Sequence, residues 1–272
     1  MKRISLKNIL AKMIVHSIGA WSDGIRIALR EGFTSGIMLD YIYKNQPGGK
    51  YLVGKMIDRI YLGHEGWRAV RQRKDNLCAN LEKAIDLTLE SKRGAHVCDV
   101  AAGPALYITD ILEKYGDRPV TAEIRDIDGR WLDEAGRRAS AKGLNLTRRV
   151  ADALERDDFV FDAIPDVFVA SGFYDWFNDA EMIRKSMRLI YDSLPENGYF
   201  VFTNQTGHVA LAMTNGIFRD FRNEPLEMVT WNAELVNSWV EEIGFTIVDV
   251  LGDEKGYYSN VLAAKKPRPG TW

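Results

Sequence analysis

Cysteine, histidine and proline are scarce in this chain: its 272 residues include two Cys, four His and eight Pro. One thiol, Cys98, closes an apolar stretch and the other, Cys78, lies in a helical one. So few thiols argue against a disulfide framework and suit a reducing, cytoplasmic setting. His16, His64, His96 and His208 stand far apart, and nothing near them has the spacing of a zinc ligand set, so no metal is expected. A surplus of one charge is missing as well. With 36 Lys and Arg against 38 Asp and Glu, the formal net charge is -2, which gives no basic footprint for nucleic acid. The local cluster Arg68, Arg71, Arg73 and Lys74 reads as a solvated helix face. No apolar run reaches 18 residues, which excludes a transmembrane helix.

What is present is ordinary globular material, 46% hydrophobic and 27% charged, enough for one large core or two smaller ones. Near the start, Lys2, Arg3 and Lys7 precede an apolar stretch in the manner of a targeting segment. Lys12 and His16 interrupt that stretch, and no small-residue cleavage site follows. Ile4, Leu6, Ile9, Leu10, Met13, Ile14 and Ile18 fall mainly on one stripe, so an amphipathic helix is expected, facing the protein's own core or a partner. A homodimer through the N-terminal helices is compatible with this.

Residues 1–90 read almost wholly as helices, with loops at 32–36, 45–49 and 63–66. Beyond about residue 91 strands and helices alternate, which predicts a mostly parallel sheet with crossover helices. Strands are expected at 95–100, 119–126, 145–151, 165–171, 198–203, 245–251 and 258–265. The last two, joined by Gly252-Asp-Glu-Lys-Gly256, suit an antiparallel hairpin. The expected architecture is α/β: a Rossmann-like sheet of seven strands, the last antiparallel, flanked by helices. Two regions follow, a helical lid or substrate region over 1–90 and a ligand-binding domain over 91–267.

The most informative stretch is His96-Val-Cys-Asp-Val-Ala-Ala-Gly-Pro-Ala-Leu-Tyr107. A strand ends at Asp99, and Ala101, Ala102, Gly103 and Ala105 let the chain turn sharply into a helix while a ligand presses on main chain. The N–H groups of that helix suit a carboxylate or phosphate. Only Gly103 is left of a dinucleotide-type glycine pattern, and no Gly-Lys-Ser/Thr follows, so neither a dinucleotide fingerprint nor a phosphate loop is expected.

Each later strand end adds a polar group. The second ends in Ile124-Arg-Asp-Ile-Asp128, where Asp126, with Ile127 beside it, is the candidate for ribose hydroxyls; Asp128 is the alternative, and it also suits a helix cap. The third ends at Asp152-Ala153, a place for a contact to an adenine amino group. The fourth exits through Ser171-Gly172 into Phe173, Tyr174, Trp176 and Phe177. Phe173 and Phe177 suit the core, while Tyr174 is expected to face the ligand, where an aromatic ring attracts a cationic group. The fifth leads into Asn204, Gln205 and His208, neutral hydrogen-bonding groups at a sheet edge.

Together with Asn45-Gln-Pro47, Asp58-Arg-Ile-Tyr-Leu62 and Gly66-Trp-Arg68, these stretches resemble the class I S-adenosylmethionine (SAM) dependent methyltransferases, in the branch that occurs alone or fused to an α/β hydrolase. The resemblance runs from about residue 21 to 266. It implies SAM as co-substrate, held by Asp99, Ala101, Gly103, Asp126, Ile127, Asp152, Ala153, Ser171 and Gly172. Ala105 departs from the glycine usual there. The expected activity is methyl transfer to a small-molecule acceptor, with Tyr41, Tyr43, Trp67, Arg68 and Gln205 touching the acceptor and Tyr174 or His208 taking a proton. Two alternatives accompany it. One is attack at the aminocarboxypropyl carbon of SAM, by cyclisation to azetidine-2-carboxylate or by transfer, with Tyr174 and Asn204 holding the amino nitrogen and methylthioadenosine leaving. The other is a catalytically silent SAM- or partner-binding module.

Overall fold

The structure, a computed structural model, describes residues 16–17, 19–207, 219–220, 224 and 228–266. It divides into two compact units, residues 1–72 with 208–228 and residues 73–207 with 229–272. The division falls inside a long helix, so the helical region expected over 1–90 is shared between both units. The N-terminal amphipathic stretch, apart from residues 16–17 and 19, and His208 lie outside the described residues.

The first unit holds helices α1 (Asp23–Glu31), α2 (Gly36–Lys44) and α3 (Tyr51–Leu62) and the start of α4 (Glu65–Ser91). The loops expected at 32–36, 45–49 and 63–66 separate these helices. Ser22 and Ser35 cap α1 and α2 by accepting N–H bonds from Ile25 and Met38, while Gly32, Asn45 and Gly63 end the three helices. Phe33, Tyr61 and Trp67 pack as an aromatic cluster, with Phe33 and Trp67 centroids 4.7 Å apart.

Inside it lies a buried carboxylate. Asp58 accepts hydrogen bonds from Ser22 Oγ at 2.5 Å, Gly24 N at 2.8 Å, Gly48 N at 2.9 Å and the Tyr41 hydroxyl. This node ties the start of α1, the middle of α2 and the 45–50 loop to α3.

The second unit is a seven-stranded sheet in the order β3-β2-β1-β4-β5-β7-β6. The strands are β1 (Ala95–Asp99), β2 (Val120–Asp126), β3 (Leu146–Val150), β4 (Val167–Ala170), β5 (Tyr199–Gln205), β6 (Phe245–Gly252) and β7 (Tyr258–Lys265). All pairings among β1 to β5 are parallel, and β7 runs antiparallel to both β5 and β6. Every expected strand is present to within two residues, because the apolar runs and Gly/Pro breaks that mark them are local.

Helices cover both faces. Leu77, Leu81, Ala84 and Ile85 of α4 join α5 (Leu106–Tyr115) and α6 (Gly129–Ala141) over Val97, Val169, Val201 and Leu262. On the other face α7 (Ala180–Ser193) and α8 (Ala233–Ile243) pack on Cys98, Phe168, Phe200 and Phe202. This three-layer, doubly wound arrangement is Rossmann-like, and its strand order reverses between β1 and β4. Ligands of such sheets bind in the crevice at that switch point, beyond the carboxyl ends of the strands.

Candidate functional site

Asp99 ends β1 on the α4/α5 face. It is fully buried, accepts from the Tyr107 hydroxyl, and lies 3.4 Å from Ala101 N. Burial pushes its carboxyl up to about 7, against the lowering effect of the Tyr107 bond. Asp99 therefore braces the turn from within.

A folded-state proton held to about pH 7, in a group that releases it near 4 when unfolded, sets the sign of a linkage. The stabilisation is complete below pH 4 and is lost as pH rises through 7, by a few kcal/mol in all. Urea midpoints of the wild type should fall between pH 5 and 8, whereas Asp99→Asn should show a flatter profile. A residual slope is expected from Asp175, whose buried carboxyl is pushed up to about 6. Equal slopes in the two proteins would remove Asp99 from this role.

The turn itself is bonded to the next strand. Gly103 takes φ 51° and donates its N–H to Asp126 Oδ2 at 2.9 Å, and a Cβ there would meet nothing within 4 Å. Asp126 Oδ1 accepts from Asp128 N at 2.9 Å. Burial raises the Asp126 carboxyl above its usual range. Asp128 instead caps α6, accepting from Arg130 N at 3.0 Å. The two acids that the sequence left open thus take different places: Asp126 bridges turn and strand end, and Asp128 holds the helix. Ile127 between them is exposed.

Ala105 shows how the missing glycine is tolerated. It adopts the left-handed φ of 48° at the start of α5 and is buried in the core. Left-handed geometry costs an L-residue roughly 1–2 kcal/mol, and burying its methyl returns about 0.8 kcal/mol.

At the third strand end, Asp152 N donates to Asp158 Oδ2 at 2.7 Å and Asp152 Oδ1 accepts from Leu154 N at 2.8 Å. Val100, Asp152, Ala153 and Phe159 line a shallow depression there. At the fourth, Gly172 has φ 67° and donates to Thr203 Oγ1 at 2.7 Å. A Cβ on Gly172 would come within 3.2 Å of the Arg73 guanidinium, and Ser171 beside it is half-buried.

Three expectations are corrected here. Tyr174, expected to face the ligand, is buried with its ring against Phe173 and Phe202, in the cluster that includes Ile183 and Met187 of α7. Burial pushes its hydroxyl far above the usual tyrosine range, which leaves it unsuited to proton transfer. Phe173 and Phe177 are half-buried and pack against that same core cluster, as expected. Asn204 is also on the α7/α8 face, donating to Trp231 O at 3.0 Å. The reason is strand alternation: Phe200, Phe202 and Asn204 share one face of β5, and Val201, Thr203 and Gln205 share the other, with Asp99. Gln205 therefore stays with the crevice face. Its N–H donates to Asp175 Oδ1 at 3.2 Å, and its buried Oε1 has no hydrogen-bond partner among the described residues.

The third correction concerns the basic cluster. Arg68 is exposed, but Arg71 donates to Leu62 O at 3.1 Å, Lys74 pairs with Asp110 at 2.6 Å, and Arg73 is buried. Arg73 lies 3.5 Å from Asp175 Oδ2 and 5.0 Å from the Tyr258 ring centroid, at the ends of β4, β5 and β7. A signal was present: Val70, Leu77, Leu81 and Ala84 put position 73 on the apolar stripe of α4.

Of the remaining candidates, Ala101 is half-buried and Ala153 is buried. In the helical unit, Tyr41 belongs to the Asp58 node, Trp67 to the aromatic cluster, and Tyr43 is half-buried.

A doubly wound sheet with acidic strand ends around a small-residue turn defines the class of Rossmann-like ligand-binding domains. The sequence matches, over residues 2–265, the profile of the family described as "Putative methyltransferase", and the chain belongs to that family. It is 28% identical over 254 residues to the uncharacterized protein YnbC of Escherichia coli K12, covering 91% of this chain and 43% of that protein. The chain thus spans less than half the length of this relative.

Among solved structures, a possible exported protein from Bordetella parapertussis aligns with TM-score 0.74 at 19% identity, over 94% of this chain and 87% of that one. Magnesium protoporphyrin IX methyltransferase from Synechocystis PCC 6803, with bound S-adenosylhomocysteine, aligns with TM-score 0.58 at 12% identity, over 87% and 98% of the respective chains. At these identities the likeness is one of fold.

Proposed function

We propose that this chain binds SAM at the carboxyl edge of β1, β2 and β4 and transfers its methyl group to a small-molecule acceptor. The observation that carries the reading is the Asp126 bridge: a half-buried acid at the end of β2 that holds the Gly103 turn beside the switch point. Family membership supports the methyltransferase assignment.

The residues present fit the co-substrate. Asp126 is placed to accept from ribose hydroxyls, and Asp152 beside the depression at the third strand end suits an adenine amino group. Gly103, with open space where a side chain would be, lets a ligand approach main chain. SAM supplies a methyl group already activated by its sulfonium, so the protein's task is alignment and exclusion of water. Tyr174 and Asn204, which the aminocarboxypropyl alternative would need, serve packing and a bond to Trp231.

The test is mass spectrometry of the chain incubated with SAM, alone and with a library of small nucleophiles. S-adenosylhomocysteine appearing only with an acceptor is the expected result. Methylthioadenosine formed without any acceptor would overturn methyl transfer in favour of attack at the aminocarboxypropyl carbon. Binding of SAM with no turnover across the library would favour the silent module.

A further inference from the structure

Among the described residues, one face of α3 is apolar, cationic and uncovered. Tyr51, Leu52, Met56 and Ile60 are 84%, 81%, 64% and 75% exposed. Leu52, Met56 and Ile60 recur every four residues and so form one ridge, while Gly54, Asp58 and Leu62 are buried on the opposite side of the helix. Tyr51, at the head of the ridge, is held in a left-handed conformation with φ 57°, which a bulky residue rarely adopts.

The charge beside the ridge has one sign. Lys50, Lys55 and Arg59 are exposed and make no ion pair among the described residues. The acid within α3, Asp58, is buried and fully engaged. Nearby surface acids are already matched, Asp23 with Arg26, Glu31 with Arg30 and Asp40 with Lys44. Residues 19–72 carry eight Lys or Arg and five Asp or Glu, although the whole chain has net charge -2. The preceding eighteen residues add Lys2, Arg3, Lys7 and Lys12 with no acid at all.

We propose that α3 is a docking surface for an anionic lipid bilayer, with Leu52, Met56 and Ile60 entering the headgroup layer and Lys50, Lys55 and Arg59 meeting lipid phosphates. An apolar ridge bordered by Lys and Arg is the pattern of interfacial helices, whose long cationic side chains lie along the apolar surface and reach outward. Self-association through the same face would set these cations against one another. No described helix is long and apolar enough to cross a membrane, so the contact is peripheral. The inference is independent of the SAM reading.

The test is co-sedimentation of the full chain with vesicles of phosphatidylcholine containing about 30% phosphatidylglycerol, and with phosphatidylcholine alone. Binding to the anionic vesicles, weakened by salt, is expected. Both Leu52→Asp/Ile60→Asp and Lys55→Glu/Arg59→Glu should reduce it roughly tenfold or more. These positions are exposed, and an unchanged circular dichroism spectrum and thermal midpoint would show that each variant is folded. No binding to anionic vesicles, or binding unaffected by both variants, would overturn the proposal. So would a wild-type dimer that Leu52→Asp/Ile60→Asp converts to monomer without lipid, because the ridge would then face a second copy of the chain. Retention of an acidic protein partner, rather than vesicles, through Lys55 and Arg59 would overturn it as well.

Discussion

Asp58→Ala is expected to destabilise the helical unit by about 4 kcal/mol, the scale on which a buried hydrogen-bonded carboxylate network is broken. Four donors converge on this side chain: Ser22 Oγ, Gly24 N, Gly48 N and the Tyr41 hydroxyl. Alanine would leave the Ser22 and Tyr41 hydroxyls and Gly24 N facing a void without their acceptor, while Gly48 N would keep only its bond to the Tyr41 hydroxyl oxygen at 3.0 Å. The Ser22 hydroxyl would keep its second bond, from Ile25 N, so the α1 cap survives locally while its link to α3 is lost. Asp58→Asn should cost less, since the side chain keeps its size and one acceptor oxygen, but its NH2 group would confront N–H donors. Amide hydrogen exchange over α1 to α3 measures this directly, with β1 and β4 as internal controls. A loss below about 1 kcal/mol in those helices would show that the node does not hold them.

Asp126→Ala is expected to weaken SAM binding about 10- to 100-fold in calorimetry, the worth of roughly 1.5–3 kcal/mol for hydrogen bonds to a charged group. Two effects act together. The acceptor for the ligand's hydroxyls is removed, and the Gly103 and Asp128 N–H groups lose the carboxylate that fixes the turn. Asp128→Ala is the control. It removes the cap of α6, worth about 1 kcal/mol of stability, and should leave affinity nearly unchanged. Unaltered affinity in Asp126→Ala, or an equal loss in both variants, would sink the assignment.

The fold was largely legible because its signals are local. The apolar runs of β1, β2, β4 and β5, the hairpin at 252–256 and the loops between α1, α2, α3 and α4 each depend on a few neighbouring residues. The division into units was less legible, because α4 continues unbroken across the boundary at 72/73.

For the site, the sequence brought Asp99, Gly103, Asp126, Asp152 and Gly172 to one edge of the sheet, since each closes a parallel strand or follows one. It did not decide which way side chains beyond the strand ends would point. Asn204 and Gln205 are adjacent, yet the pleat sends them to opposite faces. Tyr174 joins the core beside Phe173 rather than facing the crevice, at a short 3-10 turn, Tyr174–Trp176, that follows β4. Arg73, one cation among several in the sequence, is set apart by its burial beside Asp175 and Tyr258.

The sequence by itself therefore determined the order of the elements, the small-residue turn with its acidic strand ends, and a chemistry consistent with the methyltransferase family. Only the tertiary structure decided that Asp126 bridges turn and strand, that Tyr174 and Asn204 serve the core, and that Asp58 organises the helical unit. Periodicity and turn chemistry are properties of neighbouring residues, whereas burial and hydrogen-bond partnership depend on residues far apart in the chain, such as Arg73 and Asp175, that meet only once the sheet has formed.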